Sequence, residues 1–167
     1  MAQKEERYEV RVEGVQFAAA HFATFGGECE PLHGHSYSVA AQVDGTLSTE
    51  SWVVDFVKLK SILRGLCHTL DHRFMLQLNS RLLKIEAIDG CWRIETPQGR
   101  RYIFPEADVV ALPIDNTTAE RLAEWLCIRL QEASLIREAG NVESVLVEVW
   151  EGPGQRASYH LECLPLD

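Results

Sequence analysis

Alternating hydrophobic and polar residues at both ends of the chain predict β-strands. Residues 8–21 alternate in this way, with a break at Gly14, where a glycine inside a strand often marks a bulge. Residues 35–43 alternate again, and the Asp-Gly pair that follows is typical of a turn. Residues 142–150 are rich in strong β-formers, and residues 159–164 form their predicted hairpin partner after a Gly-Pro-Gly turn. The pattern therefore predicts four strands, two near each end.

Apolar residues recur at helical spacing in two central segments. Residues 56–69 follow Asp55, the predicted N-cap, and carry leucine and isoleucine on one face. Residues 118–138 form the second predicted helix, opened by Thr117 and Glu120 in a capping-box pattern. We expect both helices to cover the same face of the sheet.

The segment between the helices, residues 80–113, has β-type alternation and two turn signals, which predict an inserted β-hairpin. With the strands and helices, this gives an α+β fold: a four-stranded antiparallel sheet, two helices on one face, and the insertion. No linker or repeat divides the chain, so residues 1–167 are interpreted as a single domain. Because such a sheet leaves two open edges, we expect oligomerisation by sheet extension.

Composition narrows the function classes. The 167 residues carry a formal charge of −9 and no basic tract, which argues against nucleic-acid binding. No apolar run approaches the ~20 residues that span a bilayer, and the polar N-terminus does not resemble a signal peptide, so we expect no membrane association and a cytoplasmic location. The five cysteines form an odd set without a Cys-x-x-Cys pair, which fits reduced thiols.

The motif His33-Gly34-His35 carries the sharpest chemical signal. Residues two apart on a strand point to the same face, so two imidazoles can converge on one ion. His21, at the end of the neighbouring predicted strand, can supply a third nitrogen. Three neutral imidazoles suit zinc and leave a coordination position open for water or substrate. The motif therefore predicts a catalytic Zn²⁺ site.

Three other interpretations of these residues stay open at this point. The two histidines of the motif can be unrelated residues of a polar loop. A rival metal site can form from His68 and His72, four residues apart near the end of the first helix. Cys29 can join the three histidines in a closed structural site that has no open position.

Several further candidates have ordinary structural explanations when each is considered alone. Cys29 lies between two glutamates, whose charges raise a thiol pKa and reduce its reactivity. Asp71 and His72 can form a helix exit, Glu151 can be a solvated strand end, and Glu120 can be a capping residue.

Taken together, however, the candidates occur in a specific order and spacing. The pattern resembles the 6-pyruvoyl-tetrahydropterin synthase and 6-carboxytetrahydropterin synthase family over most of the chain outside residues 80–113. The segments that carry the resemblance are Phe17-x-x-x-His21, Cys29-x-x-x-His33-x-His35, Val54-Asp55-Phe56, Leu70-Asp71-His72, Thr117-Thr118-Ala119-Glu120 and Val147-Glu148-Val149-Trp150-Glu151.

The resemblance implies a role for each of these residues. His21, His33 and His35 match the family's zinc ligands. Cys29 matches its proton-abstracting thiol, and Asp71 with His72 matches the pair that activates this thiol or relays protons. Glu151 matches the carboxylate that anchors the pterin ring, and Thr118 and Glu120 lie on a segment that helps to line the pocket.

The resemblance also implies a fold, an assembly and a reaction. The family has the tunnel fold, usually a hexamer built from two trimers, with sites between subunits. Its substrate is 7,8-dihydroneopterin triphosphate, and the Cys29-to-His33 spacing favours the branch that forms 6-carboxy-5,6,7,8-tetrahydropterin for queuosine-type synthesis over the pyruvoyl branch. The alternatives are a 6-pyruvoyl-tetrahydropterin synthase and a zinc-containing pterin-binding homologue without this turnover.

Three features depart from the family's pattern. Thr117 stands where a proline is common, segment 80–113 is longer than expected, and no basic residues are evident that would receive a triphosphate.

Overall fold

The structure is a computed structural model that describes residues 6–163. Its helices and strands follow one another along the chain as β1 (Tyr8–His21), β2 (Thr24–Phe25), β3 (Glu28–Cys29), β4 (His33–Gly45), α1 (Phe56–Leu70), β5 (Arg73–Gln77), β6 (Lys84–Ile88), β7 (Cys91–Glu95), β8 (Arg101–Pro105), a 3₁₀ turn (Glu106–Asp108), β9 (Val109–Leu112), α2 (Ala119–Gln131), α3 (Ser134–Arg137), β10 (Val142–Gly152) and β11 (Gln155–Glu162). The predicted α+β class is confirmed. Residue 164 of the last predicted strand lies outside the described residues.

The main sheet has six strands in the order β11-β10-β4-β1-β5-β9, so the prediction of four antiparallel strands was wrong. The four predicted strands are present and antiparallel to one another, but β5 and β9 extend the sheet as parallel neighbours. The predicted bulge is confirmed, because the β1–β4 register shifts between Val12 and Val15 and Gly14 has a φ of 74°.

The insertion forms a three-stranded antiparallel sheet, β6-β7-β8, rather than the predicted hairpin. Two turns separate its strands, one at Asp89-Gly90 and one around Gly99, and both glycines have positive φ. Each of the two turn signals in this segment therefore reverses the chain.

The helices begin close to their predicted positions. Asp55 caps α1, with its carboxylate accepting hydrogen bonds from the amides of Val57 and Lys58. For α2 the predicted cap was wrong by one residue, because Thr118 accepts from the amide of Arg121 and Thr117 is buried. The second predicted helix also ends early, at residue 131, and a separate turn of helix covers residues 134–137.

Two apolar cores lie on opposite faces of the sheet. The larger core joins both long helices to β1, β4 and β10. The smaller core lies between the main sheet and the insertion and contains Phe22, Cys29, Phe74, Leu76, Leu83, Ile94 and Val109. On β5, Met75 belongs to the larger core whereas Phe74 and Leu76 belong to the smaller one. Both faces of this strand are therefore covered.

None of the helices in residues 6–163 combines the length and the apolar character needed to cross a membrane.

Candidate metal centre and pocket

Strand pairing brings the three predicted histidines together. In the β1–β4 register His21 lies opposite His33, and His35 lies opposite Ala19. Each imidazole offers one nitrogen to a group whose atoms all lie within 4.8 Å of one another. The ring centroid of His21 lies 4.6 Å from that of His33 and 5.1 Å from that of His35. Among residues 6–163, these three histidines form the one group of at least three histidine, cysteine or acidic side chains whose ligand atoms lie close enough to bind a single metal ion.

Hydrogen bonds orient two of the three rings. Nδ1 of His21 lies 3.0 Å from the carbonyl oxygen of Thr117, and Nδ1 of His33 lies 2.8 Å from that of Pro31. A carbonyl oxygen can only accept, so each Nδ1 carries a proton and Nε2 is the nitrogen left to bind a metal. Such contacts to the second ring nitrogen are typical of metal-binding histidines.

His21 is the clearest sign that the group suits a metal. Its side chain is 2% exposed, and its Nε2 is buried without a hydrogen-bond partner. Burial, with the nearby His33, lowers the pKa of His21 to about 4, so its ring is neutral at pH 7. A buried polar atom without a partner is costly, and a metal ion would satisfy this one. The donor set therefore fits a divalent metal such as zinc.

Gly34 permits the close approach of the two strands at this centre. A Cβ atom at position 34 would lie 2.9 Å from the carbonyl oxygen of Ala19, which is closer than such contacts allow. Any side chain here would push β4 away from β1, and with it the two histidines that flank Gly34.

The three histidines line one wall of a pocket of about 520 Å³. This size is within the usual range for a small-molecule site. The pocket is also lined by Thr118, Glu120 and Glu151, as the sequence predicted, and by Glu30 and Arg156. Burial raises the pKa of Glu151, Glu120 raises it further, and His35 opposes this shift. A half-buried carboxylate of this kind is well suited to accept hydrogen bonds from ring N–H groups of a ligand.

The structure places Cys29 beside this pocket but not among its lining residues. Cys29 is 3% exposed, belongs to the smaller core, and has its Sγ 3.5 Å from the carbonyl oxygen of Glu30. Burial raises the pKa of the thiol, and the charge of Arg100 opposes this shift. The neighbouring Glu30 does line the pocket, and its Oε2 lies 4.0 Å from Nε2 of His33.

Asp71 and His72 form a pair that is separate from the pocket within one chain. Oδ2 of Asp71 lies 2.9 Å from Nδ1 of His72, and Oδ1 accepts a hydrogen bond from the amide of Ala18 at 2.8 Å. The hydrogen bond from the Ala18 amide lowers the pKa of Asp71, and the pairing with His72 lowers it further. The His72 side chain is 83% exposed and lines a different surface depression, together with Ala18 and Phe104. The pair is thus formed and oriented, and it faces solvent.

Sequence reasoning missed the part that Thr117 plays at this centre. Thr117 is fully buried, and its hydroxyl lies 2.9 Å from Oε1 of Gln77 and 3.3 Å from Nδ1 of His21. Its position just before a helix suggested a cap, and no local signal indicates that it reaches a strand almost a hundred residues away. The same is true of Glu30, whose position between Cys29 and the histidines was the only clue.

The chain is similar in sequence to known proteins. The family model of 6-pyruvoyl tetrahydropterin synthase matches residues 9–162. The 6-carboxy-5,6,7,8-tetrahydropterin synthase of Aquifex aeolicus is 34% identical over 136 residues, which are 81% of this chain and 77% of the relative. The dihydroneopterin monophosphate aldolase of Pyrococcus furiosus is 29% identical over 136 residues, which are 81% of this chain and 83% of the relative.

A solved structure shows the same fold. The 6-pyruvoyl tetrahydropterin synthase of Plasmodium vivax superposes with a TM-score of 0.88 at 31% identity and covers 94% of this chain and 99% of its own. A variant of that protein with a glutamate replaced by alanine is described as a catalytic-residue mutant. The fold and the histidine centre thus define a tetrahydropterin synthase-like lyase. The chain belongs to the 6-pyruvoyl tetrahydropterin synthase family.

Proposed function

We propose that the protein is a zinc-dependent lyase that converts 7,8-dihydroneopterin triphosphate into 6-carboxy-5,6,7,8-tetrahydropterin. The observation that carries this proposal is the convergence of three imidazoles, two of them oriented by backbone carbonyls, and the half-buried Glu151 on one pocket. With water as co-reactant, the substrate releases triphosphate and acetaldehyde. The ring gains the two electrons that the side chain loses, so no external oxidant or reductant is needed.

His21, His33 and His35 would hold the Zn²⁺. When bound, the metal supplies positive charge that stabilises oxygen anions of the substrate side chain. The carbonyl contacts at Nδ1 of His21 and His33 would leave their Nε2 atoms to bind such an ion. The chain's own contribution here is to fix ligand geometry and to keep the buried His21 neutral.

Cys29 would accept the proton from the substrate side chain as a thiolate. This role requires the sulfur to turn from the smaller core toward the pocket that its neighbour Glu30 already lines. Asp71 would orient His72, which tunes the protonation of the thiol. Because the pair faces solvent away from the pocket of its own chain, we propose that it acts in the site of a neighbouring copy within a homo-oligomer. A hexamer of two trimers, joined through the outer strands of the sheets, would bring such sites together.

Glu151 would anchor the pterin ring by accepting two N–H hydrogen bonds, with Thr118 and Glu120 beside it. We expect Glu151→Gln to raise KM for the substrate by roughly 10- to 100-fold, since charge-assisted hydrogen bonds contribute about 1.5–3 kcal/mol each. Zinc content should stay unchanged, because Glu151 is not part of the histidine group. Steady-state kinetics and metal analysis of the variant check both expectations.

A matched control is Glu143→Gln on the same strand, whose carboxylate pairs with Arg7 at the surface. This variant should retain the wild-type KM. A loss of zinc from the Glu151 variant would show that the assigned roles are wrong.

A second candidate function is an aldolase-type cleavage of the side-chain carbon–carbon bond of a dihydroneopterin, with Glu30 as the base. The specific observation in its favour is that Glu30, and not Cys29, lines the pocket and approaches His33. The Pyrococcus furiosus relative bears the name of such an aldolase.

The direct test is to incubate the zinc-loaded protein with 7,8-dihydroneopterin triphosphate and to identify the pterin product by mass spectrometry. The proposal predicts 6-carboxytetrahydropterin together with acetaldehyde. A pyruvoyl product would assign the chain to the other branch of the family, and a hydroxymethyl pterin would support the aldolase reaction. Tight pterin binding without any product would indicate a binding protein.

A further inference from the structure

The inserted sheet reaches the site through the turn between β7 and β8. The turn is closed by two backbone hydrogen bonds, from the amide of Thr96 to the carbonyl of Arg100 and from the amide of Gly99 to the carbonyl of Thr96. Thr96 is 3% exposed, and its hydroxyl also lies 3.2 Å from the amide of Arg100. The turn is thus a closed unit that presents Gln98 and Arg100 toward the segment between β1 and β4.

Gln98 pairs with the backbone of Cys29 as a neighbouring strand would. The amide of Cys29 donates to Oε1 of Gln98 at 3.2 Å, and Nε2 of Gln98 donates to the carbonyl oxygen of Cys29 at 3.2 Å. One side chain therefore satisfies both polar groups of this residue, which fixes the peptide on either side of it.

Arg100 holds the same segment one peptide further along. Its Nη2 donates to the carbonyl oxygen of Cys29 and, at 3.2 Å, to that of Glu30. Two consecutive carbonyls are thereby drawn toward one guanidinium. With the apolar contacts of the Cys29 side chain in the smaller core, these bonds leave the Glu30 side chain on the pocket side.

We propose that Gln98 and Arg100 are positioning residues that fix the Cys29–Glu30 segment relative to the histidine centre. The inference rests on the proposed function, because that function assigns the proton acceptor to a residue of this segment. The insertion thereby controls how far the Cys29 thiol and the Glu30 carboxylate reach toward a bound substrate. A displacement of about 1 Å at a reacting group can cost ~100-fold in rate. Gln98 and Arg100 can therefore affect catalysis by positioning this segment, without contacting the substrate.

The test compares Arg100→Gln, Arg100→Lys and Gln98→Ala with Arg101→Gln as the matched control. Arg101 directly follows Arg100 as the first residue of β8, its side chain is 77% exposed, and it pairs with Glu95 at the surface. Gln98 is itself exposed, so its variant should fold even if an Arg100 variant does not. Two quantities are measured: kcat and KM for 7,8-dihydroneopterin triphosphate, and the rate at which iodoacetamide alkylates Cys29, followed by peptide mass spectrometry.

We expect iodoacetamide to alkylate Cys29 at least about fivefold faster in Arg100→Gln and Gln98→Ala than in the wild type. We also expect kcat of both variants to fall roughly tenfold. KM and zinc content should stay within twofold, and Arg100→Lys, which keeps a donor and the charge, should recover part of kcat. Arg101→Gln should match the wild type in every respect. Alkylation and kcat that are equal in the Arg100, Gln98 and Arg101 variants would overturn the inference.

The alkylation arm separates this inference from the proposed function. A wild-type protein that forms no product contradicts the proposed function. Faster alkylation in the Arg100 and Gln98 variants would then still establish that these residues hold the segment.

Discussion

Replacing His33 with alanine is expected to remove the bound metal and to lower turnover by at least about 100-fold. Changes to residues that only support a metal ligand already cost roughly 10- to 100-fold in affinity, so the loss of a ligand should cost more. The fold should persist, because the His33 side chain is 39% exposed and its removal opens no buried cavity. Metal analysis, turnover and thermal unfolding of the purified variant check the three expectations.

The control for this variant is His68→Ala. His68 is exposed near the end of α1, four residues before His72, and belongs to the rival metal pair that the sequence left open. Its variant should keep full zinc content. If His68→Ala lost zinc and His33→Ala retained it, the metal site would have to be assigned to the end of α1. Unfolding of the wild type on metal removal would instead identify a structural zinc module.

The second large effect concerns the proton acceptor. Under the proposed function, Cys29→Ala should lower formation of 6-carboxytetrahydropterin by at least about 100-fold, because general base and nucleophile positions contribute about 10²- to 10⁴-fold. Glu30→Gln should stay within about tenfold of the wild type. Both variants should retain zinc, since neither side chain belongs to the histidine group. Product formation measured by mass spectrometry gives both rates.

The reverse pattern would favour the aldolase candidate. In that case Glu30→Gln would abolish product and Cys29→Ala would retain it, which agrees with the position of Glu30 on the pocket wall. The control is Cys91→Ala, which leaves both Cys29 and Glu30 in place. Cys91 is a free, partly buried cysteine of the insertion. This variant should behave as the wild type.

The histidine centre could be predicted because it depends on local geometry. The period of two along β4 places His33 and His35 on one face, and the pairing of adjacent strands brings in His21. The four long strands and the bulge at Gly14 were predictable for the same reason. Each of these features follows from a pattern within one segment or between two segments close in sequence.

The parts that were missed depend on contacts between distant segments. Residues 74–77 of β5 are all buried, because the insertion covers one face and the larger core the other, so they show no alternation. Thr117 has the sequence context of a helix cap but is buried against His21 and Gln77. The hold of Gln98 on Cys29 joins residues 69 positions apart. Contacts between distant segments leave no periodic pattern in the sequence of the segments they join.

X-ray absorption at the zinc edge of the purified protein tests the central claim most directly. Three imidazoles with an open position predict nitrogen and oxygen ligands at about 2.0–2.1 Å and no sulfur. A sulfur ligand at about 2.3 Å would show that Cys29 closes the site, and a protein that binds no zinc under any loading condition would contradict the proposed centre altogether.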